Sequence, residues 1–254
     1  MQTVEEKLAK SLTAESVELI PHLPYLLQDL WELGSSPKDM LDMITRHIGV
    51  SDQTRVLDLA CGKGAISVYL AKELGCRVKG IDLIPEFIDV ATGKARVHGV
   101  EALCEFVVGD ITQAVNTEQG YDIVILGAVG DVLGNTEETI TLLKKTVKDE
   151  GYLLIDDAYG DDNTNEKHPS REQWLGIFDK TGVRLIEEKI VDDDELTSLN
   201  DEQQEWIVKR ANELKDRYPD QVQLFDSYIQ SQQAECDELE NDISGVTMLL
   251  QVIN

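Results

Sequence analysis

The run Val56-Leu57-Asp58-Leu59-Ala60-Cys61-Gly62-Lys63-Gly64-Ala65-Ile66-Ser67 decides how this chain folds. Its first residues are apolar and continuous, as in a strand buried on both faces. Its middle is small, and its end opens a helical stripe of Ile66, Leu70 and Leu74. The pattern is therefore strand, tight turn, helix. Gly62 and Gly64 let the backbone turn sharply and leave room for a ligand to approach closely. The helix N-terminus beyond them offers unpaired N–H groups and a partial positive charge.

A nicotinamide-dinucleotide loop reads G-x-G-x-x-G. Ser67 stands where its third glycine belongs, so that fingerprint is incomplete. Asp58 also argues against it, because a carboxylate beside a pyrophosphate is unfavourable. Beside the ammonium end of a methionine moiety it is favourable.

Working outward, strands and helices alternate. The spacing predicts strands at Arg55–Ala60, Arg77–Leu83, Glu105–Val108, Tyr121–Leu126, Tyr152–Asp156, Val183–Val191 and Val246–Ile253. Helices are expected over Ala65–Leu74, from Pro85, over Thr136–Lys148 with Ile140, Leu143 and Val147 as its stripe, and from the Ser170/Gln173 capping box through Lys180. This order implies an α/β fold: a seven-stranded, mostly parallel sheet with helices on both faces. Ligands in such sheets bind beyond the carboxyl ends of the strands. Those ends read Gly80-Ile81-Asp82-Leu83, Val108-Gly109-Asp110-Ile111 and Leu126-Gly127-Ala128. Asp82 follows Gly64 by one helix and one strand, where a carboxylate can accept from two ribose hydroxyls. Charged hydrogen bonds of that kind contribute roughly 1.5–3 kcal/mol each. Taken alone, Asp82 also reads as a helix cap before Pro85.

Together these residues resemble the first motifs of the class I, Rossmann-like S-adenosylmethionine-dependent methyltransferase family over about Gln53–Asp157. Ala60 stands where that family often has glycine. The resemblance implies S-adenosylmethionine as cofactor. Asp58, Ala60, Cys61, Gly62 and Gly64 would hold its methionine portion and Asp82 its ribose. Leu83 and Ile111 would pack on the adenine, with Gly109 and Asp110 at its amino group. Gly127 and Ala128 would leave space under the sulfonium. The N-P-P-Y and Pro-Cys signatures of nucleobase-modifying relatives are absent.

Composition narrows the acceptor. With 49 acidic and 23 basic side chains the net charge is −26, which repels phosphate backbones. No nucleic-acid partner is expected, and a small-molecule methyl acceptor fits. The four cysteines form no C-x-x-C pair, so no metal is expected and the thiols read as free in a reducing compartment. MQTVEEKLAK lacks an apolar signal core, and no run is long enough to span a bilayer. The expectation is a cytoplasmic protein without a membrane partner.

Two attachments complete the reading. Residues 1–50 form an N-terminal helical cap, with a helix starting at Ser36-Pro37 and Met40, Leu41, Ile44 and Ile48 at helical spacing. Residues 51–254 form the methyltransferase domain, with a helical-hairpin insertion at 192–244 before the last strand. Asn200 and Gln203 suggest a capping box there. Ile207, Ala211, Leu214 and Tyr218 make one face, and Val222, Phe225, Ile229, Cys236 and Leu239 a heptad seam. The insertion is open to three roles: packing on the body, a homodimer contact, or a lid. The sequence singles out no catalytic residue. Asp131, Asp156, Asp157, Tyr159, His22 and His168 are candidate bases, each with a capping, packing or surface role as its plainer reading. A protein or peptide methyltransferase, a nicotinamide enzyme and a cofactor-binding relative without activity stand as alternatives.

Overall fold

Strands that are apolar on both faces must be covered on both. The computed structural model describes residues 2–160 and 168–253. Its strands are β1 (Arg55–Leu59), β2 (Arg77–Asp82), β3 (Cys104–Val108), β4 (Tyr121–Gly127), β5 (Val147–Gly160), β6 (Val183–Ile190) and β7 (Ile243–Val252). They make one sheet in the order β3-β2-β1-β4-β5-β7-β6. β1 to β5 pair in parallel, and β7 runs antiparallel between β5 and β6. From β1 the chain steps outward to β2 and β3, then returns to place β4 on the other side. That reversal opens a crevice at the carboxyl ends of β1 and β4.

The helices are α1 (Val4–Ser11), α2 (Leu23–Leu26), α3 (Pro37–His47), α4 (Ala65–Leu74), α5 (Pro85–Val97), α6 (Ile111–Thr117), α7 (Thr136–Leu143), α8 (Arg171–Thr181), α9 (Asp193–Arg217) and α10 (Val222–Asn241). Period-two alternation along β4 splits the core. Ile123 and Ile125 face Met40, Met43 and Ile44 of α3 and Val68 and Leu70 of α4. Val124 and Leu126 face Val115 of α6, Ile140 and Leu143 of α7, and Trp174 and Phe178 of α8. Although α3 lies within the first 50 residues, it packs on the sheet. Met43, outside the expected stripe, is fully buried there.

A third core joins α1 and α2 to the two long helices. Leu19, Leu23 and Leu26 pack with Ile207, Ala211 and Leu214 of α9, Phe225 and Tyr228 of α10, and Phe87 of α5. α9 and α10 run antiparallel, since Asn200 donates to Glu240 and Lys215 pairs with Asp226 across them. Outside the pair, Arg210 clamps Asp29 with hydrogen bonds of 2.5 and 2.8 Å.

Several expectations are corrected. The helix expected over Thr136–Lys148 stops at Leu143, because Thr146 folds back and its hydroxyl donates to the Leu143 carbonyl at 2.7 Å. Val147 instead opens β5. Asn200 caps nothing: it lies inside α9, whose helix is continuous from Asp193. Tyr218 leaves the apolar face and stands exposed, edge-on to His22 at 5.1 Å. The seam of α10 runs through Phe225 and Tyr228, while Val222 is exposed. Among the described residues, no helix is long and apolar enough to cross a membrane, and no cluster of metal-ligating side chains occurs.

Candidate active site

The turn after β1 is shaped by backbone geometry. Ala60 (φ 56°), Gly62 (φ 52°) and Gly64 (φ 73°) are all left-handed. Ala60 therefore carries strain of about 1–2 kcal/mol that glycine would not. Gly64 is required by packing, since a Cβ there would lie 2.7 Å from Ala91 of α5 and 2.9 Å from Phe106 of β3.

Three acidic residues end three adjacent strands. Asp58 is 2% exposed, and Ser67 donates to it at 2.6 Å. Burial raises its carboxyl to about 7, against that hydrogen bond. Ser67, read in the sequence only as a missing glycine, is thus the partner of Asp58. Asp82 is 7% exposed and accepts from the backbone N–H groups of Gly62 and Ile84, both at 2.9 Å. It ties the β1 turn to the β2 end. Burial raises its carboxyl too, with those N–H donors opposing. Asp110 caps α6, accepting from the Thr112 N–H at 2.8 Å and hydroxyl at 2.7 Å.

These residues open into one cleft. Asp58, Ala60, Cys61, Gly62, Asp82, Leu83, Gly109, Asp110, Ile111, Gly127 and Ala128 all line it. Gly64 does not. The cleft holds about 990 Å³ of space, part of it open to solvent.

The far wall comes largely from the N-terminal cap, where the sequence singled out no lining residue. Val4, Lys7, Leu8 and Ser11 of α1 and Leu12, which follows it, line the cleft with Leu33, Ser35, Val129 and Val132. Two lysines hold α1 across it. Lys7 donates to the Val132 carbonyl at 2.8 Å, and Lys10 pairs with Asp131 at 2.7 Å. Residues 31–35 are laid directly on the strand ends. Trp31 Nε1 donates to the Lys63 carbonyl at 3.0 Å, and a Cβ on Gly34 would lie 2.7 Å from the Ala128 methyl. Lys63, between the two glycines of the turn, is buried, and its ammonium donates to the Leu27 and Leu30 carbonyls. Burial lowers it to about 8, with Asp29 opposing. No sequence signal marks Lys63, because a lysine at that position ordinarily reads as a solvated loop residue.

The candidate bases do not reach the cleft wall. None of Asp131, Asp156, Asp157, Tyr159, His22 and His168 lines the cleft. Asp131 is taken by Lys10, the Tyr159 hydroxyl donates to Glu188 at 2.7 Å, and His22 bonds Gln221 at 2.9 Å. No described side chain of α9 or α10 lines the cleft either. The hairpin braces α1 and α2 from behind.

Comparison with known proteins agrees with this fold. A family model described as a methyltransferase domain matches residues 50–211. A sterol 24-C-methyltransferase of Gibberella zeae is 28% identical over 204 residues, covering 72% of this chain and 52% of the relative. The chain thus spans about half the length of that relative. Among solved structures, the S-adenosylmethionine-dependent methyltransferase of Thiobacillus denitrificans, crystallised with S-adenosyl-L-homocysteine, superposes with a TM-score of 0.75 at 19% identity, covering 92% of this chain and 98% of that one. One from Geobacter sulfurreducens with the same ligand gives 0.74 at 18% identity, covering 90% and 96%. At such identities the superpositions carry the fold, while the family model spans more than half of the chain. The chain belongs to the methyltransferase-domain family.

Proposed function

We propose that this chain is an S-adenosylmethionine-dependent methyltransferase acting on a small molecule. The observation that carries the reading is one cleft holding Asp58, Asp82 and Asp110 at the ends of β1, β2 and β3, continuing over β4 into an apolar chamber closed by α1.

The donor set fits the cofactor. Buried carboxylates suit hydroxyl, amino and ammonium groups, and the apolar Leu83 and Ile111 suit a flat ring. In this reading Asp82 accepts from the ribose hydroxyls and Asp110 from the adenine amino group. Asp58 faces the ammonium end, and the Ala60–Gly62 turn wraps the methionine portion. When bound, the cofactor supplies an activated methyl group on sulfur. The protein's part is alignment, which contributes effective molarities of about 10⁵–10⁸ M in well-oriented systems. α1 and residues 31–35 exclude water from the reacting end. Because Lys7 and Lys10 hold α1 across the cleft, a compact acceptor fits better than a folded protein surface.

Calorimetric titration of the chain with S-adenosylhomocysteine tests the cofactor. Saturable one-site binding is expected, and no heat from a folded sample would sink the reading. Incubating cell extract with the chain and methyl-labelled cofactor tests the acceptor class. Label is expected in the small-metabolite fraction, and label confined to protein would overturn that part.

A further inference from the structure

We infer that Ser35 and Asp156 form the acceptor end of the site: the Ser35 hydroxyl holds an O–H or N–H group of the acceptor, and the Asp156 carboxylate behind it receives the proton given up. This rests on the methyltransferase reading above. The substrate class that follows is a compact, mostly apolar molecule with one protic nucleophile.

Gly127 of β4, Asp156 of β5 and Thr247 of β7 are direct partners across three adjacent strands. Side chains in such a row rise on one face of the sheet. Gly127 has none, and the Ser35 hydroxyl takes that space: a Cβ on Gly127 would collide with it. Ser35 lines the cleft and is 6% exposed; its hydroxyl adjoins the Asp156 carboxylate, and no described group donates to its oxygen. Buried polar groups are ordinarily paired, so a hydroxyl oxygen that receives no donor at a cleft wall marks where a ligand O–H or N–H belongs. The Thr247 hydroxyl donates to one oxygen of Asp156, and Ser35 stands close enough to favour the ionised form. Burial opposes them and leaves this carboxyl raised above its usual range.

The charged neighbours of Asp156 are Asp157 beside it and Asp39 of α3, which pairs with Lys189 of β6. Val4, Leu8, Leu12, Leu33, Val129 and Val132 line the same cleft as Ser35. An acceptor there buries apolar surface and finds its polar partner at the floor.

The proposed step balances. The proton leaves the acceptor as its bond to the methyl carbon forms and the carbon–sulfur bond breaks. Ser35 Oγ accepts that proton while its own hydroxyl proton passes to Asp156. The positive charge lost from sulfur is matched by the proton gained on the carboxylate. Ser35 touches the acceptor and is the catalytic residue here, whereas Asp156 acts through it.

The test uses the full chain loaded with S-adenosylhomocysteine. Short alkylphenols, alcohols and amines are titrated calorimetrically, each beside its hydrocarbon counterpart. At least one protic member is expected to bind about tenfold tighter than its counterpart, the value of one good hydrogen bond. Ser35→Ala should erase that preference while keeping S-adenosylhomocysteine affinity within about twofold. Ser35→Cys, which preserves volume, should do the same if the alanine variant melts early. The ¹³C resonance of the Asp156 carboxyl, assigned with Asp156→Asn, should shift its titration midpoint on protic-ligand binding and in Ser35→Ala. No protic preference in any pair, a preference that survives both Ser35 variants, or a midpoint indifferent to ligand and variant would overturn the inference. Failure of the cofactor reading shows earlier, as wild-type chain that does not take up S-adenosylhomocysteine.

Discussion

The two halves of the cleft are built in different ways. Over β1, β2 and β3 each of the three acids sits at or just past the end of its own strand. Asp58, Asp82 and Asp110 are placed by the strand before them and the helix after. Over β4 the wall is assembled from α1, residues 31–35 and the loop after β4, which lie about a hundred residues apart in sequence. The first half is local geometry repeated three times. The second is a docking event, held by Lys7, Lys10, Lys63 and Trp31 and braced by α9 and α10. A cofactor common to a family suits a site made of strand ends, and an acceptor peculiar to one chain suits a site made of attachments.

Three substitutions sharpen or break this comparison. Asp82→Ala has the largest expected effect. It removes a carboxylate that lines the cleft, is proposed to hold the ribose, and accepts from the Gly62 and Ile84 N–H groups. Losing charged hydrogen bonds worth roughly 1.5–3 kcal/mol each should weaken S-adenosylhomocysteine binding by at least about 100-fold in calorimetry. A change under fivefold would mean that the strand ends do not carry the cofactor.

Gly127→Ala attacks the other half. Its methyl group would collide with the Ser35 hydroxyl and push residues 31–35 off the strand end. Overpacking of this sort costs about 1–3 kcal/mol, to be read from urea denaturation. The loss of S-adenosylhomocysteine affinity should be smaller than that caused by Asp82→Ala. Equal losses would show that the two halves act as one unit.

Ala60→Gly should have the smallest effect, and of opposite sign. Relief of the left-handed strain at φ 56° is partly offset by the greater freedom of glycine in the unfolded chain. A net gain within about 1 kcal/mol is expected, measured as a rise in thermal midpoint. A loss would mean that the Ala60 methyl packs usefully against the turn.

The same contrast explains what could be read without coordinates. Asp82 and Asp110 were legible because one helix and one strand fix the distance from the first turn to the next strand end. The helix Ala65–Leu74 was legible from its stripe of Ile66, Leu70 and Leu74. The end of α7 was not, because Val147 continues the apolar period of Ile140 and Leu143, and only the fold-back of Thr146 breaks it. Ser67 was visible but misjudged: its absence as a glycine was noted, while its hydroxyl's partner, Asp58, lies across the turn. Ser35 gave no signal, since a serine before Ser36-Pro37 reads as the approach to a helix cap.

By itself the sequence determined the alternation of strands and helices, the left-handed turn after β1, and the acidic strand ends that line one side of the cleft. These follow from periodicity and chain connectivity, which act over one helix or one strand. Only the tertiary structure decided that α1 closes the cleft, that Lys63 anchors the segment before α3, that the α9–α10 pair braces rather than lines the site, and that Ser35 fills the space beside Gly127. Those placements depend on burying apolar faces between segments far apart in the chain, and no local pattern records which faces will meet.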